Sequence, residues 1–319
     1  MPLVGIARFA AESSLLEAKS VVEYRELESR NWIGRCSSSN KPFDWTINPY
    51  RGCEIGCKYC YARYTHEFME LSPGADFETK IFAKHWSASS FVSELARIPR
   101  GETIAIGTAT DPYQPAERRY GLTRKMLEVF SKDYGRSIYL TTKSDLVQRD
   151  IDLFVEMGRR NRVGVTLTVT TVDEELARLI EPRAPRPSLR LKAVQALADA
   201  GVRTGVSLSP VIPGLTDSLE SLEAVVAAAA RSGARSVWAN PVFLKPCSYG
   251  VFLPFLRERF PDLVAHYEQM FANQAYVRGA YPELIEGRAH FLRTKYGLQE
   301  RPSTKSETLP GVQIPLFAA

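Results

Sequence analysis

The chain has 319 residues, 45% hydrophobic and 24% charged, with 41 Lys and Arg against 36 Asp and Glu and a net charge of +5. With 20 Gly, 20 Pro and five Cys it has an ordinary globular composition and enough length for a sizeable core, which excludes a collagen-like, a wholly disordered or a disulfide-scaffold chain. A charge of +5 permits a polyanionic partner without requiring one.

Residues 1–44 show no strong period and are expected to form an irregular or partly helical leader. This stretch carries charges of both signs (Glu12, Glu17, Lys19, Glu23, Arg25, Glu26) and no apolar run before a cleavage site, so no signal peptide is expected. The longest apolar stretch, residues 222–230, is interrupted by Glu223 and falls far short of a bilayer span. A cytoplasmic protein without membrane contact is the expectation.

Residues 45–48 read as a short strand entering a cysteine-rich loop. Beyond it, β-rich runs at 103–108, 137–142, 163–168, 203–209 and 236–240 alternate with amphipathic helical segments at 122–130, 151–157, 189–200 and 219–230. Ala200-Gly201 reads as a helix C-cap, and Thr216-Asp217-Ser218 as the N-cap of the helix that follows. From residue 103 onward, strand starts lie roughly 25 to 40 residues apart, the span of βαβ units, so the sheet is expected to be mainly parallel. Six βα units fall short of a closed eight-stranded barrel and fit a partial barrel or an open doubly wound sheet. Residues 252–260 and 263–271 read as C-terminal helices, and from about 299 the polar composition reads as a flexible tail.

The cysteines are Cys36, Cys53, Cys57, Cys60 and Cys247, three of them within eight residues. An odd number in an intracellular setting argues against disulfides and for a metal or cluster. The C-x3-C-x2-C spacing, with Gly52 and Gly56 permitting a tight turn, places three soft thiolates on one centre. Iron–sulfur clusters ordinarily take four Cys ligands; three leave one iron open, and an open position implies chemistry. The competing reading is a Cys3His zinc site with His66 as fourth ligand, in a binding protein without catalysis.

The pattern Cys53-x3-Cys57-x-Tyr59-Cys60 after the first strand resembles the signature of the radical S-adenosylmethionine (SAM) superfamily. The resemblance implies an α/β partial (β/α)6 TIM-like barrel, in agreement with the six units counted. It also implies a [4Fe-4S] cluster held by Cys53, Cys57 and Cys60, with S-adenosyl-L-methionine chelating the fourth iron. One electron then cleaves SAM to methionine and a 5′-deoxyadenosyl radical, which abstracts a substrate hydrogen. A reducing partner such as flavodoxin or ferredoxin is expected. The domains expected are a leader at 1–44, the barrel at 45–245, a helical closure at 246–298 and the tail at 299–319.

The segments 48–53, 60–63, 107–115, 141–144 and 181–185 together resemble the spore photoproduct lyase branch, often described as DNA repair photolyase-like. This implies a lyase-like enzyme whose substrate is DNA or a nucleobase lesion; a small molecule or a free modified nucleobase is the alternative. By the same resemblance Thr110 and Asp111 lie against the SAM amino group, Lys143 pairs with its carboxylate, Thr168 contacts the ribose and Tyr59 covers the adenine. An Asp-Pro turn, a solvated loop lysine and a β-branched strand former are the alternatives for Asp111, Lys143 and Thr168. Glu181, Arg183 and Arg190 bind SAM or a phosphate in one reading and form a mixed-charge surface in the other.

The lyases proper return a hydrogen atom from a cysteine near the end of the second strand, where this chain reads Gly107-Thr108-Ala109-Thr110-Asp111. Tyr61 and Cys247 are the candidate catalytic donors here, each with a packing role as its alternative. Near the end, the run Gln313 to Phe317 resembles the peptide by which bacterial replication and repair proteins dock on the sliding clamp, an expected partner consistent with DNA as substrate.

Overall fold

The computed structural model describes residues 3–18, 21–29, 31–36 and 42–299. The Gln313–Phe317 peptide lies outside the described residues.

Eleven strands are described: β1 Ser14–Ala18, β2 Glu23–Leu27, β3 Ile33–Arg35, β4 Trp45–Ile47, β5 Tyr50–Arg51, β6 Lys80–Lys84, β7 Thr103–Ile106, β8 Ser137–Thr142, β9 Arg162–Thr168, β10 Arg203–Val211 and β11 Ser236–Pro241. The main sheet runs β11-β10-β9-β8-β7-β4-β3. Its six strands from β4 to β11 pair in parallel, with β3 added antiparallel at the β4 edge. The sheet does not close on itself, so the architecture is the expected partial barrel. Every residue of β9 is buried, as a central parallel strand covered on both faces requires.

Helices follow the strands where the apolar spacing predicted them. Leu122–Phe130 turns Leu122, Met126, Leu127 and Phe130 into the core, and Leu219–Arg231 is capped by the Ser218 hydroxyl, which accepts from Ser221 N. Pro187–Asp199 ends at Ala200, with Gly201 at φ +80.

The leader differs from expectation. It contains the helix Gly5–Ala11 and strands β1, β2 and β3, and β1 and β2 join a second sheet of order β1-β2-β6-β5. The pairing that makes this sheet, β2 parallel to β6 with Glu23 opposite Lys80, joins segments far apart in the chain, and no local period encodes it. The C-terminal part holds helices Pro246–Arg259 and Val264–Phe271 near their expected places. A third helix, Ala280–Tyr296, had no sequence assignment; it buries Ile285, Ala289 and Leu292 at the β11 side. A separate apolar cluster packs Cys53, Ile55, Cys57 and Tyr59 against Phe252, Leu256 and Tyr267, so the C-terminal helices back the cysteine loop. Among the described residues no helix is long and apolar enough to cross a membrane.

Candidate active site

The cysteine loop leaves β5 through Gly52 at φ +75, where a Cβ would lie 2.7 Å from Lys80 O, and turns again at Gly56, φ +67, where it would lie 2.7 Å from Glu78 Oε2. Only glycine fits both the backbone angle and the space at these two turns. Several polar backbone groups of the loop are then claimed by side chains. Gln114, itself fully buried, donates from Nε2 to Gly52 O at 2.9 Å and accepts from Glu54 N at 3.0 Å, one amide bracketing Cys53 on both sides. Arg183 Nε donates to Glu54 O, Arg63 Nη2 to Cys57 O at 2.9 Å, and Ser248 Oγ to Cys60 O at 2.9 Å. Glu78 ties the two arginines together, 2.5 Å from Arg63 and 2.6 Å from Arg183.

Cys53, Cys57 and Cys60 line one wall of a chamber of about 350 Å³ at the C-terminal ends of the strands, with Gly107–Asp111, Thr142, Lys143 and Thr168 around it. Burial raises the pKa of all three thiols, that of Cys57 to about 12, and each of Cys53 and Cys57 is raised further by the charge of a neighbouring thiol. Buried thiols of this kind are neutral until a metal centre's positive charge deprotonates them. Three soft donors on one wall of a roomy chamber therefore fit a cluster.

The zinc reading does not hold. Among the described residues no three His, Cys, Asp or Glu side chains lie close enough to share a single ion. His66 faces Lys80 O at 3.1 Å through Nε2, its ring packs on Phe77, and burial lowers its pKa to about 4.

The residues expected to contact SAM come together in part. Thr110, Asp111, Lys143 and Thr168 all line the chamber. Asp111, however, already accepts from Thr142 Oγ1 at 2.6 Å, Lys143 N at 2.6 Å and Tyr113 N at 2.9 Å, which makes it a bracket between the ends of β7 and β8. Thr110 is tied through Oγ1 to Tyr50 O at 3.3 Å. Lys143 Nζ lies 3.9 Å from Glu181 Oε1 and 5.8 Å from the centre of the Tyr59 ring. Burial opposes its charge, but the neighbouring Cys57 and Glu181 outweigh burial and raise its pKa.

Glu181 and Arg190 are no surface pair: Arg190 Nη1 lies 2.6 Å from Glu181 Oε2, both side chains fully enclosed. Glu181 also accepts from the Tyr59 hydroxyl and from Thr170 Oγ1 at 3.1 Å, and Arg190 donates to Thr168 O at 3.1 Å. Arg183 belongs instead to the loop clamp described above. Gln114, Asn48 and Ser248 escaped assignment from the sequence; Asn48 Oδ1 accepts from Ala109 N at 2.8 Å and holds the loop after β7.

A second chamber of about 640 Å³ shares Cys57, Cys60, Tyr61, Lys143, Trp238 and Asn240 with the first and continues to Phe243 and Tyr276. Tyr61 stands between the two, its hydroxyl donating to Thr108 O and its ring centre 4.8 Å from that of Phe243. Cys247 is not brought to the site: it lies in the first turn of helix Pro246–Arg259, its Sγ 3.7 Å from Ser248 Oγ, and lines neither chamber.

Residues 47–226 match the family model described as Radical SAM superfamily. An uncharacterised protein of Mycobacterium tuberculosis is 36% identical over 282 residues, covering 86% of this chain and 82% of that protein. An uncharacterised protein of Methanocaldococcus jannaschii is 32% identical over 178 residues, 54% of this chain and 62% of that one. Among solved structures, a spore photoproduct lyase variant is similar with a TM-score of 0.65 at 16% identity, covering 86% of this chain and 79% of that one. Another variant, with bound AdoMet and dinucleoside spore photoproduct, gives 0.63 at 14% identity over 84% and 78%. At such identities the likeness is one of fold. The family implies a [4Fe-4S] cluster and SAM, which the three thiols and their chamber fit. By its motif, its fold and the match over more than half its length, the chain belongs to the radical SAM superfamily.

Proposed function

We propose that this radical SAM enzyme abstracts hydrogen from a nucleobase lesion in a nucleic acid, DNA first among them, with a lyase-like outcome. The observation that carries this reading is the pair of chambers: the one lined by the thiols adjoins a larger one walled by the rings of Tyr61, Trp238, Phe243 and Tyr276, with Asn240 and Ser209 as polar groups. Flat apolar walls with a few polar groups suit a heterocycle.

When bound, the cluster and SAM supply the one-electron cleavage that yields a hydrogen-abstracting radical. The chain's own groups orient and enclose. Lys143 would meet the carboxylate of SAM, while Asp111 holds the ends of β7 and β8 at fixed separation. Burial first, then the nearby Cys60, raises the Tyr61 pKa, so its phenol keeps its hydrogen at working pH. Standing between the chambers, Tyr61 takes the donor role that a cysteine fills in the lyases proper. Turnover draws its electron from a flavodoxin- or ferredoxin-type donor.

The test is anaerobic reconstitution followed by turnover with deuterated oligonucleotides. Deuterium is expected in 5′-deoxyadenosine, and oligonucleotide affinity is expected to fall with salt at a log–log slope of roughly −0.9 per neutralised phosphate of duplex. Deuterium transfer from small molecules alone, with a flat salt response, would overturn the nucleic-acid reading.

A further inference from the structure

We infer that the outer chamber is a stacking site for the base next to the reacting nucleotide, with Lys245 receiving the phosphate that links the two. The inference rests on the nucleic-acid reading above and adds where the strand lies.

Phe243 and Tyr276 face each other across an antiparallel bridge, secured by Leu244 N donating to Ala275 O at 2.8 Å. Backbone pairing thus sets the two rings parallel, 4.9 Å between centres and 14° between planes. With Tyr61 4.8 Å from Phe243, a file of three rings runs from the residue after Cys60 to the surface. Tyr276 lines the chamber and is still 58% exposed. A large ring held at the surface by its backbone is the arrangement of a binding platform.

One cation stands close by. Lys245 follows Phe243 by two residues, and its Nζ lies 3.5 Å from the centre of the ring of Tyr64, itself three residues past Tyr61. Among the described residues Lys245 has no carboxylate within ion-pair distance; its described partner is the Tyr64 ring. A cation beside stacked rings is the make-up of sites that follow a single-stranded backbone and stack its bases. A free nucleobase would use the rings and leave the cation unused, and a base inside a duplex is already stacked. The occupant is therefore a single-stranded or locally unpaired nucleotide chain.

The probe is a single-stranded decadeoxynucleotide carrying one 2-aminopurine, titrated into full-length reconstituted protein while its fluorescence is followed. Binding is expected to quench the probe. Tyr276→Ala should weaken binding about tenfold and remove most of the quench, whereas Tyr276→Phe, which keeps the ring, should preserve both. Lys245→Gln should make the log–log salt slope shallower by about 0.7. Tyr276→Ala that binds and quenches like the wild type, or an unchanged slope in Lys245→Gln, overturns the inference. If the wild type turns over oligonucleotide while Tyr276→Ala binds it normally, the platform falls and the nucleic-acid reading stands. If the wild type binds no strand, both fall.

Discussion

The two chambers share a wall and are built on opposite plans. In the inner one the polar side chains are mostly spoken for: Asp111 has three donors, Glu181 has Tyr59, Thr170 and Arg190, and one amide and one carbonyl on either side of Cys53 are closed by Gln114. In the outer one the ring of Tyr276, stacked on Phe243, is still 58% exposed. A site whose groups are fixed beforehand costs little reorganisation and suits a ligand that is the same in every turnover. The outer site gives up that rigidity and can take substrates whose shape varies from one to the next.

The contrast is tested most severely at the thiols. Cys53→Ala, Cys57→Ala and Cys60→Ala should each abolish iron–sulfur absorbance and 5′-deoxyadenosine formation, whereas Cys36→Ala and Cys247→Ala, outside both chambers, should leave them intact. Loss of the cluster on changing Cys247 would break the division. Next is the buried pair: Arg190→Met takes from the Glu181 carboxylate its closest charge partner and should cost about 3 kcal/mol in denaturant unfolding, more than any single change at the exposed Tyr276.

The third test is a pH effect beneath the cysteine loop. His66 has its folded pKa lowered to about 4, so the stability its neutral form provides is whole above the unfolded value and is lost as pH falls toward 4. Between about pH 6.5 and 4 the metal-free protein should lose of order 3 kcal/mol through this residue, and His66→Phe should flatten that part of the curve. The smallest effect belongs to Gln114→Leu, which leaves Gly52 O and Glu54 N unbonded in the interior; a loss of about 1–3 kcal/mol is expected, with weaker retention of iron on dilution.

The six parallel strands were legible because each is a short β-rich run followed by an amphipathic segment, and the cysteine loop because thiol spacing is a local property. The second sheet was not, since β2 and β6 each look ordinary and acquire meaning only when paired. Helix Ala280–Tyr296 was hidden because charged residues stand among its few buried ones, Ile285, Ala289 and Leu292. Glu181 and Arg190 read equally well as surface charges, since sequence cannot show that two opposite charges neutralise each other inside. Asp111 lay where the motif put it, yet its bonds inside the chain, which no motif records, leave it acting first as a brace.

The hydrogen bonds that close the cysteine loop also impose an order of assembly. Gln114 lies 60 residues beyond Glu54, Arg183 129 beyond it, and Ser248 188 beyond Cys60. A ribosome delivers these partners one after another. All three thiols emerge long before the side chains that set the loop's path around them, and a chain cut before Ser248 would carry every cluster ligand while lacking the last fastening. The loop therefore gains its last fastening only once Ser248 has been made.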